Sequence, residues 1–506
     1  MNTKTFLLGL LLTVCAVCTA KNEYSIDYTL DFDTKGHYIN VRMEYRADAQ
    51  ASDSVLMLSM PVWTPGYYEI LDFPKHLCDF SASSTDGKPL SWKKIGKNYW
   101  SISMPADGKV SVVYRVYANK RDVGSSRVDS TIAFIAPAGV FMYVANDVEH
   151  PVSVTFNMPE EWDKISSGLK ADSGNSHRFS APDFDTLYDS PFLLGNYYTR
   201  SFRHEGHDYD FAIETPDGIE EMDFEGCFKK IVSATTELMG DVPYDNYCLI
   251  HMGKGGGGLE HFNSQACYTD GTYRFSRRFD RNRFLAFTTH EYFHLYNVKC
   301  IRPAELWPFD YDRENFTPML WVSEGLTCYY EFQILLRSGL VSTDEALDIL
   351  TNYFCRYAPY EGQRHMSLRQ SSYDIWLNFM NEDANERDVR INYYFKGPIV
   401  GLLMDIEIRR LTNNRRSLDD VMRGLYNRYY KELKRGFTEE EFWSLAAEVA
   451  GNQLTEIRRI VDTTVDIDYD RYLSLVGLKI DDTWRIVRMD NPSKEQKLFM
   501  EAMNMR

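Results

Sequence analysis

The run LAFTTHEYFHLYNVKC, residues 285–300, sets His290 and His294 four positions apart inside an apolar stretch, with Glu291 between them. Residues i and i+4 share one face of a helix, so the two imidazoles would project side by side. Phe284, Leu285, Phe287, Tyr292, Phe293, Leu295 and Val298 leave that helix apolar on most sides, which predicts burial. Two imidazoles and a carboxylate are costly to bury unless something satisfies them. One zinc ion, reached by both rings at about 2.0–2.1 Å, would do so. Glu291, turned away by one residue, would stand beside such an ion as a base rather than as a ligand. A chain carrying this helix needs a core large enough to cover it on nearly every side.

A site of that kind needs a third protein ligand and an open position. Glu324, in WVSEG on the next long helical stretch, is the candidate. Leu320, Trp321, Val322 and Leu326 surround it in sequence and predict a buried setting, and Gly325 permits close approach of another helix. His251 and His261 are the alternative third ligands, although neither has helical spacing to the pair. Upstream, GKGGGGLEHFNS (Gly253–Ser264) lets a backbone turn tightly and lie close to a ligand. A surface loop is the competing reading, but Leu259-Glu260-His261-Phe262 follows the glycines at once. INYYFKG (Ile391–Gly397) opens a further apolar helix, where a tyrosine could donate a hydrogen bond to an oxyanion.

The chain has 506 residues, too many for one core, and should divide into two or three domains. Its formal charge of −17, with no basic run, argues against nucleic acid as a partner. MNTKTFLLGLLLTVCAVCTA has one lysine, an apolar stretch from Phe6 to Val17 and small residues ending at Ala20. This predicts an export signal over residues 1–20; a lipoprotein signal using Cys15 or Cys18 is the competing reading. Its apolar stretch is shorter than the ~20 residues a membrane span needs. The other cysteines are Cys78, Cys227, Cys248, Cys267, Cys300, Cys328 and Cys355. Their wide spacing, with no CxxC among them, excludes a disulfide scaffold and a cysteine zinc site. One or two disulfides remain compatible with export, and most of these thiols read as small buried hydrophobes.

From about residue 22 to 200, segments such as YSIDYTLDF, HYINVRMEYRA and KVSVVYRVYA alternate apolar and polar residues. That pattern predicts an antiparallel β domain of the sandwich kind. After residue 220 helices take over. DFEGCFKKIVSATTELMG should end at Gly240, and a helix should open at Thr317-Pro318 and stop at Gly339. Ser342 with Glu345, and Thr438 with Glu441, have capping-box spacing.

Taken in order, GGGGLEH, HEYFH, WVSEG and YYFKG resemble the M61 family of metallopeptidases, the glycyl aminopeptidase family. LSMPVWTPGYYEILDF, DGKPLSWKK and DTLYDSPFLLGNY extend the resemblance upstream, so that it spans most of the chain to about Leu478. It implies an α+β fold: an N-terminal β-sandwich-like domain over residues 21–198, then a thermolysin-like, mainly helical catalytic domain over 199–478. Residues 479–506 would form a short tail, too short for the PDZ domain that family members commonly carry. The resemblance implies one zinc ion per chain on His290, His294 and Glu324, with Glu291 as the catalytic base. It also implies Tyr394 as the oxyanion donor, with Tyr393 beside it, and Glu260 near Gly257 and Gly258 as the group that binds a substrate's free α-amino end. Pro398, directly after Lys396-Gly397, is unusual in this motif and would shift Tyr394 slightly. The activity implied is release of N-terminal glycine or alanine from peptides by an exported enzyme, periplasmic or secreted. A zinc endopeptidase and a silent peptide-binding protein of the same fold are the alternatives.

Overall fold

The computed structural model describes residues 24–47, 54–216, 218–269, 271, 274–377 and 386–505. The export-type segment, with Cys15 and Cys18, lies outside them. Strands dominate the chain as far as Ile213, and helices the part after Arg278. In the first strand, Tyr24–Asp33, alternation turns Ile26, Tyr28 and Leu30 inward. It pairs antiparallel with Tyr38–Ala47 and parallel with Val152–Asn157, with Ile26 opposite Val152. The parallel pair departs from the antiparallel expectation, because Val152–Asn157 returns from a long excursion to lie beside the first strand. A seven-stranded sheet results, and two four-stranded sheets accompany it.

One of those smaller sheets (Arg127–Val128, Ile132–Ile135, Lys164–Ser167 and Phe192–Gly195) faces a mixed five-stranded sheet. The five strands run in the order Tyr198–His204, His207–Ile213, Asn246–Lys254, Ser264–Thr269 and Gly258–Glu260. Ile132, Phe134 and Leu193 from one side share a core with Ala212, Ile250, Met252 and Ala266 from the other. On the opposite face, Phe228 of helix Phe224–Met239 packs against Tyr247 and Tyr292. Covered on both faces, Asn246–Lys254 is apolar without alternation, as YCLIHM reads.

Helix ends follow their sequence signals. Asp223 caps Phe224–Met239 by accepting from the Gly226 amide, and Gly240 closes it with φ of 79°. Both capping boxes form, opening Thr343–Tyr357 and Glu439–Ala450. The helix expected from Thr317 is not regular. A π-helical turn, Trp321–Gly325, precedes the α-helix Leu326–Arg337. Beyond Leu478 the expected tail folds instead as a hairpin, Leu478–Ile480 with Ile486–Arg488, and a helix, Lys494–Ala502. All seven described cysteines are free thiols. No helix among the described residues is long and apolar enough to cross a membrane.

Candidate active site

Helix Arg278–Phe293 carries His290 and Glu291, and His294 caps its C-terminus, its amide still donating to the His290 carbonyl. The helical spacing brings the two imidazole Nε2 atoms to 2.9 Å from each other. Glu324 reaches them from the π turn, its Oε2 lying 3.2 Å from His294 Nε2 and 3.6 Å from His290 Nε2. The alternatives for this position stand elsewhere. His261 Nδ1 faces Asp189, and the His251 ring packs edge-on against Phe284.

The turn that presents Glu324 has a physical cause. A π turn breaks the regular ladder and leaves carbonyls to be satisfied from outside. The buried Asn297 amide donates to the Val322 and Ser323 carbonyls at 2.8 and 3.1 Å. The Asn297 carbonyl, in turn, takes His294 Nδ1 at 2.7 Å. Gly325 and Gly397 complete the arrangement, since a Cβ on Gly325 would lie 2.7 Å from the Gly397 Cα. The helix opening at Tyr393 can therefore press directly on the turn.

The outward nitrogens of both rings are engaged, which aims the inward ones at a common point. His290 Nδ1 faces Glu331 at 3.2 Å, and the Tyr353 hydroxyl bonds the other Glu331 oxygen. Cys328 also approaches His290 Nδ1, but burial pushes its thiol up, so it stays protonated. Burial would raise the Glu324 carboxyl as well, yet attraction to His294 and hydrogen bonds from both rings hold it well below the usual range. Glu291 behaves oppositely. Burial pushes its carboxyl up to about 7, against the pull of His290 and His294.

These groups open onto a cavity of about 1200 Å³. Glu260 lines it from the short strand Gly258–Glu260, only 3% exposed, and its Oε1 has no hydrogen-bond partner among the described residues. Gly258 lies against the base: a Cβ there would sit 2.2 Å from Glu291 Oε1. Gly257 takes φ of +87° on the same wall. Tyr394 lines the cavity, its ring 6.4 Å from that of His290, whereas Tyr393 is buried behind it. Pro398 is accommodated within helix Tyr393–Thr412, whose cap Asn392 accepts from the Tyr394 amide.

The β region supplies groups that the sequence reading did not assign. Tyr68 donates to Glu324 Oε1 at 3.3 Å, and Tyr67 lines the cavity. A Cβ on Gly66 would lie 2.6 Å from both Glu260 oxygens. Their segment, TPGYYEI, reads in the sequence only as part of the upstream β domain. Asn297, Glu331 and Tyr353 carried no signal, because ordinary buried polar residues look the same in a sequence.

Comparison with known proteins settles the family. Residues 27–196 match the Peptidase M61 N-terminal domain, and residues 283–400 match the M61 glycyl aminopeptidase model. The chain belongs to the M61 metallopeptidase family. No curated protein matches it. A crystal structure of an aminopeptidase N family protein from Idiomarina loihiensis is similar at a TM-score of 0.83 and 26% identity, over 90% of this chain and 79% of that one. An M1 zinc metallopeptidase from Deinococcus radiodurans shares the fold at a TM-score of 0.54 and 11% identity, over 88% and 94% of the two chains.

The M61 chain is a zinc-dependent metallopeptidase, and its donor set fits the ion. His290, His294 and Glu324 offer ligand atoms all within 4.8 Å of one another. Ligand bonds of about 2.0–2.1 Å in a tetrahedron put neighbouring donors roughly 3.3 Å apart. The separations of 2.9, 3.2 and 3.6 Å bracket that value. An ionised carboxylate and two convergent imidazole nitrogens favour a cation at their centre.

Proposed function

We propose that this metallopeptidase is an exported aminopeptidase that releases small N-terminal residues, glycine or alanine, from peptides. The observation that carries this reading is Glu260. A buried carboxylate oxygen with no partner among the described residues, on the wall of a cavity beside the metal cluster, calls for a cationic ligand. The free α-ammonium of a peptide supplies one. Gly66 is pressed against the same carboxylate, and the preference for a small first residue rests on the match to the glycyl aminopeptidase model. Export rests on the N-terminal sequence alone, and sequencing the mature N-terminus from culture fractions would test it.

Zinc, when bound, supplies Lewis acidity toward the scissile carbonyl. The chain's own residues do the rest. The Glu291 carboxylate takes a proton from the attacking water and returns it to the leaving amine. The Tyr394 hydroxyl, at the cavity wall, donates to the oxyanion of the tetrahedral intermediate. Glu260 anchors the ammonium and so fixes which peptide bond is cut.

Peptides with free and acetylated N-termini, led by Gly, Ala, Leu or Phe, test the reading when products are identified by mass spectrometry. Free Gly- and Ala-leading peptides should lose one residue, and their acetylated forms should resist. Glu260→Gln should cost roughly 2–5 kcal/mol in kcat/KM on free peptides, as loss of a buried charge pair does. Equal cleavage of acetylated and free peptides would favour an endopeptidase.

A further inference from the structure

One turn of the β region touches both the substrate-side carboxylate and the metal-side carboxylate. The Tyr67 amide closes the turn by donating to the Thr64 carbonyl at 3.0 Å, with Gly66 at φ of 89°. Three consecutive residues then meet three acids. Gly66 presses on Glu260, the Tyr67 hydroxyl donates to Asp122 at 3.0 Å, and the Tyr68 hydroxyl donates to Glu324 at 3.3 Å. Tyr68 is 1% exposed and lies 256 positions from its partner, so the fold, not the local chain, makes this contact.

The turn is anchored to the catalytic half of the chain. The Val62 amide donates to the Tyr311 carbonyl at 2.9 Å, and Trp63 Nε1 donates to the Asp310 carbonyl at 2.7 Å. The Trp376 ring, whose Nε1 donates to the Asn315 carbonyl at 3.2 Å, stands edge-on to both aromatic rings. Its centroid lies 6.0 Å from that of Tyr68 and 5.0 Å from that of Trp63. Packing therefore aims the Tyr68 hydroxyl, because the ring that carries it is held from the same side as its partner.

The two oxygens of Glu324 have different surroundings. Oε2 faces both imidazoles, 3.2 Å from His294 Nε2 and 3.6 Å from His290 Nε2, whereas Oε1 accepts from Tyr68. A carboxylate can ligate a cation through one oxygen or through both. A catalytic site with three protein ligands keeps its fourth position for water or substrate, and a second carboxylate oxygen would crowd that position. We propose that Tyr68 is a positioning residue for hydrolysis, which holds Glu324 Oε1 back so that Oε2 alone ligates the ion and the water position stays open. The β region is thereby part of the metal centre. This inference rests on Glu324 as a ligand and is independent of whether the enzyme is an exopeptidase.

The test is Tyr68→Phe, which keeps the ring against Trp376 and removes only the hydroxyl. In the cobalt(II)-loaded variant the second Glu324 oxygen should join the ion. The higher coordination number should then weaken the visible absorption relative to wild type. With zinc, kcat should fall roughly 10–100-fold, the usual effect of losing an outer partner of a ligand, with KM little changed. Trp376→Phe keeps the hydroxyl and alters the packing, so its cobalt spectrum should match the wild type. A wild-type spectrum in Tyr68→Phe overturns the proposal. The same spectral change in both variants also overturns it, since packing would then be the cause. Chelator competition on Glu324→Ala reads the ligand assignment separately. Unchanged zinc affinity in that variant removes Glu324 from the ligand set, and the role of Tyr68 with it. If Glu324→Ala loses zinc while Tyr68→Phe keeps the wild-type spectrum, only the role of Tyr68 fails.

Discussion

Asn297 shows how one residue can hold two zinc ligands without touching the ion. Its side chain bonds the carbonyls of the turn that presents Glu324, and its own carbonyl fixes the His294 tautomer. Asn297→Ala would leave the His294 bond in place but strip the π turn of its donors, so Glu324 should lose its position. Zinc affinity, read by competition with a chromogenic chelator, should fall roughly 10–100-fold, the usual cost of losing outer support. Unchanged affinity would mean that Gly325 and Gly397 packing suffices to hold the turn. At this scale the sequence was most legible where spacing carries meaning. His290 and His294 declare themselves by their interval. Asn297, three residues on, does not, since its partners lie 25 and 26 positions away.

At the scale of the element, the ends of helices were readable and their irregularities were not. Ser342 and Thr438 were recognisable caps because a capping box is a local pattern. The π turn at Trp321–Gly325 arises from contact with Gly397 and Asn297, which no window around WVSEG contains. Lys396 belongs to the same crossing. It is fully buried, donates to the Ile460 carbonyl at 3.0 Å, and its ammonium is pushed down to about 8 by desolvation. An unfolded lysine titrates near 10.4, so between pH ~8 and ~10.4 the unfolded chain binds the extra proton. This group therefore adds stability as pH rises through that window, and the contribution is absent below it. Denaturant unfolding of wild type and Lys396→Met from pH 7 to 10 should show their difference in stability shifting toward the wild type with rising pH. A constant difference would place a compensating charge beside Lys396.

Across the whole molecule, contacts between the two halves were the least legible feature, because they join residues far apart in the chain. Asp312 accepts from Ser59, Asn98, Tyr99 and Tyr143, and Tyr68 reaches Glu324 across the same boundary. Asp189 extends this joint to the substrate side. It pairs with Lys299 at 2.7 Å and accepts from His261 Nδ1 at 3.2 Å and the Phe262 amide at 2.8 Å. The two residues after Glu260 are thereby fastened to the segment that follows the zinc helix. Burial would raise the Asp189 carboxyl, but Lys299 and His261 hold it well below the usual carboxylate range. A folded value below the unfolded one of about 3.9 means that the pair stabilises fully above pH ~4, and that this is lost as pH falls further. Asp189→Asn should cost roughly 3–5 kcal/mol at pH 7, because Lys299 is left buried without its partner. The gap between variant and wild type should close on acidification below pH ~4, where the wild-type pair loses its advantage. Denaturant titrations from pH 7 to 2.5 read this directly, and a gap that persists unchanged into acid would show that Asp189 does not carry the charge of the joint. If the joint also holds Glu260 in place, the same variant should raise KM for free-amine peptides at pH 7 more than it lowers kcat.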